Sequence, residues 1–162
     1  MALTQIINSG IGQVTDIKIG GSGSANTLDD YEEGTWTCTP IDESGNSSAT
    51  TATGSYTKVG NVVTVTLSSL PNISTSGLTG ADNMRLDGLP FTVSGSVNGS
   101  ASCNRVTFAS GRTMNLPRAQ SGSTHIQFIQ DGNDSNIIVV TVADFLDGVA
   151  DVSGLNITYL TT

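Results

Sequence analysis

Alternating apolar and polar residues, interrupted by turn-forming residues, run from Gly34 to the end of the chain. The alternation is clearest at 61–67, where Val63, Val65 and Leu67 fall on one face of a strand. Gly60 and Asn61 form a pair suited to a tight hairpin turn at its start. The other predicted strands are 35–39, 54–59, 104–110, 124–130, 136–142 and 155–160. Because a helical period never exceeds the single turn at 143–147, we predict an all-β fold, an antiparallel β-sandwich or jelly-roll-like domain.

Two of these strands carry more specific expectations. Within 104–110, the alternation places Val106 and Phe108 on the inward face. At 137–140 the apolar run is continuous, which is typical of a strand covered on both faces. A sandwich covers only the inner face of each sheet, so a neighbouring subunit or the N-terminal segment is expected to cover the outer one. Ile137 and Val139 are therefore candidate residues of an oligomer interface.

The segment 1–27 differs from the rest and predicts an extended Gly/Ser-rich arm ahead of a domain spanning 28–162. Its glycines oppose a stable helix, because each costs up to about 1 kcal/mol in a helix interior. Residues 20–24 have the composition of a flexible linker. Such a segment normally frays unless something holds it, so we expect its apolar side chains to bind a partner surface. These candidate anchors are Ile6, Ile7, Ile11, Val14, Ile17 and Ile19.

The charge balance excludes several classes of partner. The 162 residues include 14 acids and 6 bases, a net charge of −8, with no basic stripe to attract a nucleic acid or an anionic membrane surface. We find neither an apolar run long enough to span a membrane nor a secretory signal. Charged residues make up only 12%, which is typical of extracellular or virion-surface β proteins. Without an export signal, Cys38 and Cys103 are expected to be buried thiols and not a disulfide.

Three stretches resemble motifs of surface proteins on tailed-bacteriophage virions. The first is 28–37, LDDYEEGTWT, similar to the stretch that opens a compact β domain in tail fibres and related spikes. The second is 54–63, GSYTKVGNVV, similar to a hairpin of that family, and the third is the turn GLPF at 88–91. They occur in family order, although Cys38 stands where the family commonly has proline. The resemblance implies a homotrimeric, jelly-roll-like module exposed on the virion.

The first motif also has an interpretation from its residues alone, as the entry to the domain. Leu28 would close the base of the domain, and Gly34 would let the chain bend as it enters the first strand. Tyr31 and Trp36 lie on either side of this glycine and are expected to pack there. The acidic residues between them are expected in solvent or against a basic residue of a neighbour.

Three features suggest chemistry, and each has a simpler structural interpretation. The acidic run 29–33 supplies paired carboxylates, but adjacent residues cannot flank a glycosidic bond without distant help. Residues 131–136 resemble a calcium loop, yet the glycine at the sixth position is missing and Val142 replaces the bidentate glutamate. His125, the sole histidine, would hold a metal only in three copies on a trimer axis. We therefore predict no catalytic residue, no metal and no cofactor.

Two functions remain open at this point. The favoured one is a non-enzymatic capsid decoration or cement protein, whose trimers are held on the major capsid protein by the arm. It would be assembled in the host cytoplasm and exposed on the particle. The alternative is the receptor-binding tip of a short tail fibre that attaches to a host surface glycan. A minimal depolymerase ranks last, because such enzymes need a cleft lined by well-separated acids.

Overall fold

The computed structural model describes residues 30–132 and 137–162 and, with backbone alone, residues 17–18, 27–28 and 113–115. The fold is all-β and antiparallel, as the alternation predicts. β1 (Ile17–Lys18) and β2 (Thr27–Leu28) pair with each other. The remaining strands are β3 (Tyr31–Ile41), β4 (Ala52–Val59), β5 (Val62–Ile73), β6 (Arg85–Asp87), β7 (Val97–Asn98), β8 (Ser100–Asn104), β9 (Arg112–Ala119), β10 (His125–Gly132), β11 (Ile138–Val139) and β12 (Ala150–Leu160).

Strands β3 to β12 form one sheet that curls into a nearly closed barrel. Its order is β7-β9-β10-β6-β3-β4-β5-β12-β8, with β11 beside β10. The two edge strands, β7 and β8, are separated along the chain by Gly99 alone. The Gly99 amide donates a hydrogen bond to the carbonyl of Pro117 on β9 at 2.8 Å. A Cβ at this position would lie 2.4 Å from the carbonyl oxygen of Asn156 on β12, so only glycine lets the chain pass so close to β12 here.

The interior of the barrel is a single apolar core built from alternate residues of the strands. On β5 and β12 the alternation is regular, and the inward side chains are Val63, Val65, Leu67, Leu155, Ile157 and Tyr159. Threonines occupy many of the outward positions, and Thr64 and Thr158 share a hydrogen bond across these strands at 2.9 Å. A β-branched hydroxyl residue suits such a half-buried pleated surface.

Several predicted elements are present. The hairpin between β4 and β5 turns at Gly60, whose φ of 58° is left-handed, and Asn61. The single helical turn predicted at 143–147 occurs as a 3-10 turn at Val142–Asp144. The chain that follows forms β12, which is longer than the strand predicted at 155–160. No described segment forms a helix long and apolar enough to cross a membrane.

The prediction that Phe108 faces inward is wrong. The strand ends at Asn104, because Arg105 adopts a left-handed φ of 56° and its guanidinium donates to the carbonyl of Val149 at 3.0 Å. Beyond this break Val106 is buried, whereas Phe108 is exposed in a loop. The apolar and polar residues still alternate after Arg105, but the backbone there is not a strand, so the alternation no longer decides which side chains face inward.

The apolar run at 137–140 is only partly a strand. β11 comprises two residues, which pair with the edge of β10 opposite Ile129 and Gln130. The barrel buries Val140, leaves Val139 half-buried and leaves Ile137 exposed. Ile137 and Val139 thus keep uncovered apolar surface, and their part in an oligomer interface stays a prediction.

Candidate attachment site

The two longer motifs fit each other across strands β3 and β4. Gly34 lies directly opposite Tyr56, and Trp36 lies directly opposite Gly54. A Cβ on Gly34 would lie 2.9 Å from the Tyr56 ring, and one on Gly54 would lie 2.3 Å from Nε1 of Trp36. Each aromatic ring therefore covers the glycine that faces it, which restores the packing that a strand glycine lacks. Gly34 lies within continuous strand pairing, so its role here is to make room for Tyr56.

Trp36 is a core residue. It is 4% exposed, and its Nε1 donates to the carbonyl of Thr66 on β5 at 3.3 Å. The indole thus links three strands through packing and one hydrogen bond. This position leaves no face of the ring for stacking against a ligand.

The third motif, GLPF at 88–91, packs against the same end of the barrel through Phe91. The Phe91 ring packs edge-to-face on Tyr56, with 5.5 Å between ring centroids, and Nζ of Lys58 lies 5.6 Å from the Phe91 centroid. The hydroxyl of Tyr159 donates to the carbonyl of Phe91 at 3.1 Å. We call this region the motif end: the start of β3, the turn between β4 and β5, and the last residues of β12.

The acidic run at the motif end is already engaged by neighbouring side chains. Lys58 pairs with Asp30, and the Tyr56 hydroxyl donates to Glu32. The Tyr31 hydroxyl donates to Glu33 at 2.8 Å. These hydrogen bonds raise the pKa of Tyr31 and the pKa of Tyr56, because a phenol that donates to a carboxylate is harder to ionise. With one lysine against three carboxylates, the motif end stays acidic.

A row of exposed apolar side chains crosses the outer surface at this end. Tyr31 lies opposite Val59, Val59 opposite Val62, and Val62 opposite Leu160, so the four occupy one level of strands β3, β4, β5 and β12. Their exposures are 56, 44, 40 and 50%. We call these four residues the apolar row. Single exposed apolar residues are ordinary, but a contiguous set marks an interaction surface.

A shallow cavity of about 290 Å³ extends the apolar row past β12. It lies between that strand and the segment leading into β7, and Leu160 belongs to both the row and the cavity wall. The lining residues are Gly95, Ser96, Val97, Thr158, Tyr159 and Leu160. The apolar surface therefore continues from β3 to the seam of the barrel.

The described part of the barrel begins beside the apolar row. Tyr31, the first residue of β3, belongs to the row, and the carbonyl of Asp30 accepts from the Gly60 amide at 2.9 Å. Among the predicted anchors, the backbone of Ile17 pairs with Leu28 of the domain-entry motif. The other anchors, Ile6, Ile7, Ile11, Val14 and Ile19, lie outside the described residues.

The other candidate residues lie away from the motif end. His125 is half-buried on the outer surface of β10, directly opposite Asp87. Cys38 is buried, Cys103 is half-buried, and both thiols are free. Most of the calcium-like loop, 133–136, lies outside the described residues. Within the described ranges, no cluster of three or more His, Cys, Asp or Glu side chains has the geometry of a metal site.

Sequence reasoning did not single out Val59, Val62 and Leu160, although a signal for them exists. Val62 shares its strand face with Thr64 and Thr66, so it is an apolar residue on an otherwise polar face.

Comparisons of this chain with protein-family models, with curated proteins and with solved structures find no match. What the motif end does must be argued from its own geometry.

Proposed function

We propose that this protein is a non-enzymatic structural component on the outside of a tailed-phage virion, a capsid decoration protein that attaches through its motif end. The observation that carries the proposal is the apolar row, which begins at Tyr31, the first residue of β3. Attachment would use both: the arm's isoleucines and the row would contact the major capsid protein together. The jelly-roll-like trimer implied by the motif resemblance is part of this proposal.

The chemistry of the apolar row indicates what the partner surface must offer. Burying a large apolar side chain fully contributes about 1.5–3 kcal/mol, and the four residues of the row are each roughly half-exposed, so their combined contribution is modest. A second contact through the arm raises the total affinity, because the second binding event becomes intramolecular. Glu32 and Glu33 beside the row favour a partner surface with an apolar centre and basic residues at its rim.

Two features support a structural role over a catalytic one. The acidic carboxylates are held by Lys58, Tyr56 and Tyr31, which are themselves fixed by strand pairing and by Phe91. The ring of Trp36 covers Gly54 inside the barrel and is not available to a substrate. The motifs that carry the resemblance thus form one end of the barrel. The apolar row is the surface that this end exposes to a partner.

Deletion of residues 1–24 tests this proposal. We expect the truncated protein to remain a folded oligomer and to lose binding to particles stripped of their decoration. Copy number per particle is the companion measurement, since hundreds of copies indicate a shell protein and a few dozen indicate fibres. Full occupancy of capsids by the truncated protein would contradict the role of the arm.

The alternative proposal is the receptor-binding tip of a short tail fibre. It is favoured by the outer face beyond the apolar row, where the hydroxyls of Ser55 and Thr66 and those of Thr64 and Thr158 pair across strands. Such a hydroxyl-rich face suits hydrated ligands such as host glycans. Paired assays separate the two functions: a fibre tip binds cells with or without residues 1–24 and does not decorate stripped capsids, whereas a decoration protein binds capsids and loses that binding with residues 1–24.

A further inference from the structure

A second polar face lies on strands that do not contribute to the apolar row. Arg85 on β6 and Arg118 on β9 both lie directly opposite Gln127 of β10, one on each side. The neighbours of Gln127 along the strand, Ile126 and Phe128, point into the core, so Gln127 and the two arginines point outward. Gln127 is nevertheless only 8% exposed. Gln127 is thus largely covered although it faces outward, with an arginine on each side.

This face contains unsatisfied polar atoms. Among the described residues, four buried side-chain nitrogen or oxygen atoms have no hydrogen-bond partner, and three of them are Nε of Arg85, Nε2 of His125 and Oε1 of Gln120. The backbone of Gln120 donates to the carbonyl of His125, so the latter two residues are adjacent. Buried polar groups are normally paired, and an unpaired group costs about 1–3 kcal/mol. Three polar atoms that no protein group pairs with therefore lie together on this face.

The charges on this face favour one acidic group and disfavour several. Arg85 is engaged by Glu43 at 2.6 Å, whereas Arg118 makes no ion pair within the described part of the chain. Asp87 lies opposite His125 and, with Glu43, repels ligands of high negative charge. Burial lowers the pKa of His125, and the Arg85 charge lowers it further against the effects of Asp87 and Glu43. His125 is thus neutral at pH 7 and can donate or accept a hydrogen bond.

We propose that this face, formed by Arg85, Gln127, Arg118, His125 and Gln120, binds an acidic saccharide. The free guanidinium of Arg118 pairs with a single carboxylate, in the fork geometry that suits this group. Hydroxyls both donate and accept, so they match the amide of Gln127, the neutral imidazole of His125 and the unpaired oxygen of Gln120. Binding requires the long side chains of Arg118 and Gln120 to move and uncover the unpaired atoms.

The proposal goes beyond attachment to the particle. Of strands β6, β9 and β10, only β6 pairs with a strand of the apolar row, and it meets β3 at residues 39–41, the opposite end of that strand from Tyr31. A copy attached through the motif end therefore keeps this face open. A phosphate-rich ligand fits less well than a saccharide, because Asp87 and Glu43 oppose it and because Gln120 offers an acceptor.

The sole histidine makes the test direct, since the imidazole signals of His125 are unique in an NMR spectrum of the full-length protein. The probes are galacturonic acid, which carries a single carboxylate, its methyl ester and acetate. We expect galacturonic acid to shift the His125 signals with saturation, and the ester and acetate to bind at least about tenfold more weakly, since each lacks one of the two recognised groups.

Variants at two arginines complete the experiment. Arg118→Met should weaken galacturonic acid binding about tenfold or more, while Arg105→Met, at an arginine outside strands β6, β9 and β10, should leave it unchanged. Trp36 fluorescence during unfolding verifies that both variants fold. The proposal is overturned if no probe shifts the His125 signals, if the ester or acetate binds as well as the acid, or if Arg118→Met binds normally. Equal binding of an acidic peptide without hydroxyls would also overturn it.

Discussion

Gly54 lies directly opposite Trp36, and the absence of its side chain makes the space that the indole occupies. A Cβ there would lie 2.3 Å from Nε1 of Trp36 and 2.4 Å from the carbonyl oxygen of Thr66, which is the acceptor of the indole hydrogen bond. A substitution at Gly54 therefore disturbs both the packing and the hydrogen bond of the central aromatic residue.

Gly54→Ala should lower the free energy of unfolding by about 1–3 kcal/mol, the usual cost of overpacking a core. Urea unfolding measures the effect. Gly95→Ala is the matched control, because a Cβ at Gly95 meets no atom within 4 Å. Equal stability of the two variants would show that the indole does not occupy the space above Gly54.

Trp36→Ala should lower the free energy of unfolding by about 3–5 kcal/mol, because it removes a large buried ring. Trp36 is the only tryptophan, so its emission in the wild-type protein reports its own burial. We expect a blue-shifted emission maximum that moves to the red on unfolding. A red-shifted native emission, together with an unchanged stability of Trp36→Ala, would remove this residue from the core.

The sequence predicted those features that depend on neighbours along the chain. The hairpin at Gly60 and Asn61 has a local turn signal, and the inward residues of β5 follow from its alternation. β8 was missed because Ser100–Asn104 carries little apolar alternation, and Phe108 was misplaced because the break at Arg105 has no local signal.

The candidate site was harder to predict, because it depends on pairing between distant residues. Gly34 opposite Tyr56 is a relationship between two strands, and no spacing within either strand reveals it. Val62 meets Leu160 in the same way, across about a hundred positions of sequence. Only the register of the barrel brings together the four members of the apolar row.

Acid should destabilise the protein in part through Asp42, a fully buried carboxylate. Burial alone would raise the pKa of Asp42, but hydrogen bonds from Asn46 and from the amide of Thr79 outweigh it and lower the pKa to about 2. Since the folded pKa lies below the unfolded value of 3.8, this contribution is complete above pH about 4 and is lost as the pH falls towards 2.

Urea unfolding of Asp42→Asn at several pH values checks this account. The variant should be less stable than the wild type at pH 7, and the difference should shrink between pH about 4 and 2. Glu33→Gln, at an exposed carboxylate, should stay within about 0.5 kcal/mol of the wild type at pH 7. A stability difference for Asp42→Asn that does not change with pH would contradict the role given to its charge.

The two thiols should be unreactive in the folded protein. Burial raises the pKa of Cys38 and the pKa of Cys103 to about 12, so the thiolate that reacts with alkylating agents is scarce at pH 8. Mass spectrometry after brief iodoacetamide treatment should show an unmodified native chain and a doubly modified unfolded chain. Modification of the native chain at either cysteine would show that its thiol is more accessible than the barrel allows.

Attachment through the apolar row is the central claim, and the binding of purified protein to stripped particles tests it most directly. Leu160→Asp and Val59→Asp, as separate variants, should each weaken co-sedimentation with particles about tenfold or more, because a charge replaces an apolar contact. Asn156→Asp is the matched control on the outer face of the same strand as Leu160 and should bind like the wild type. Wild-type occupancy by Leu160→Asp and Val59→Asp would contradict the claim.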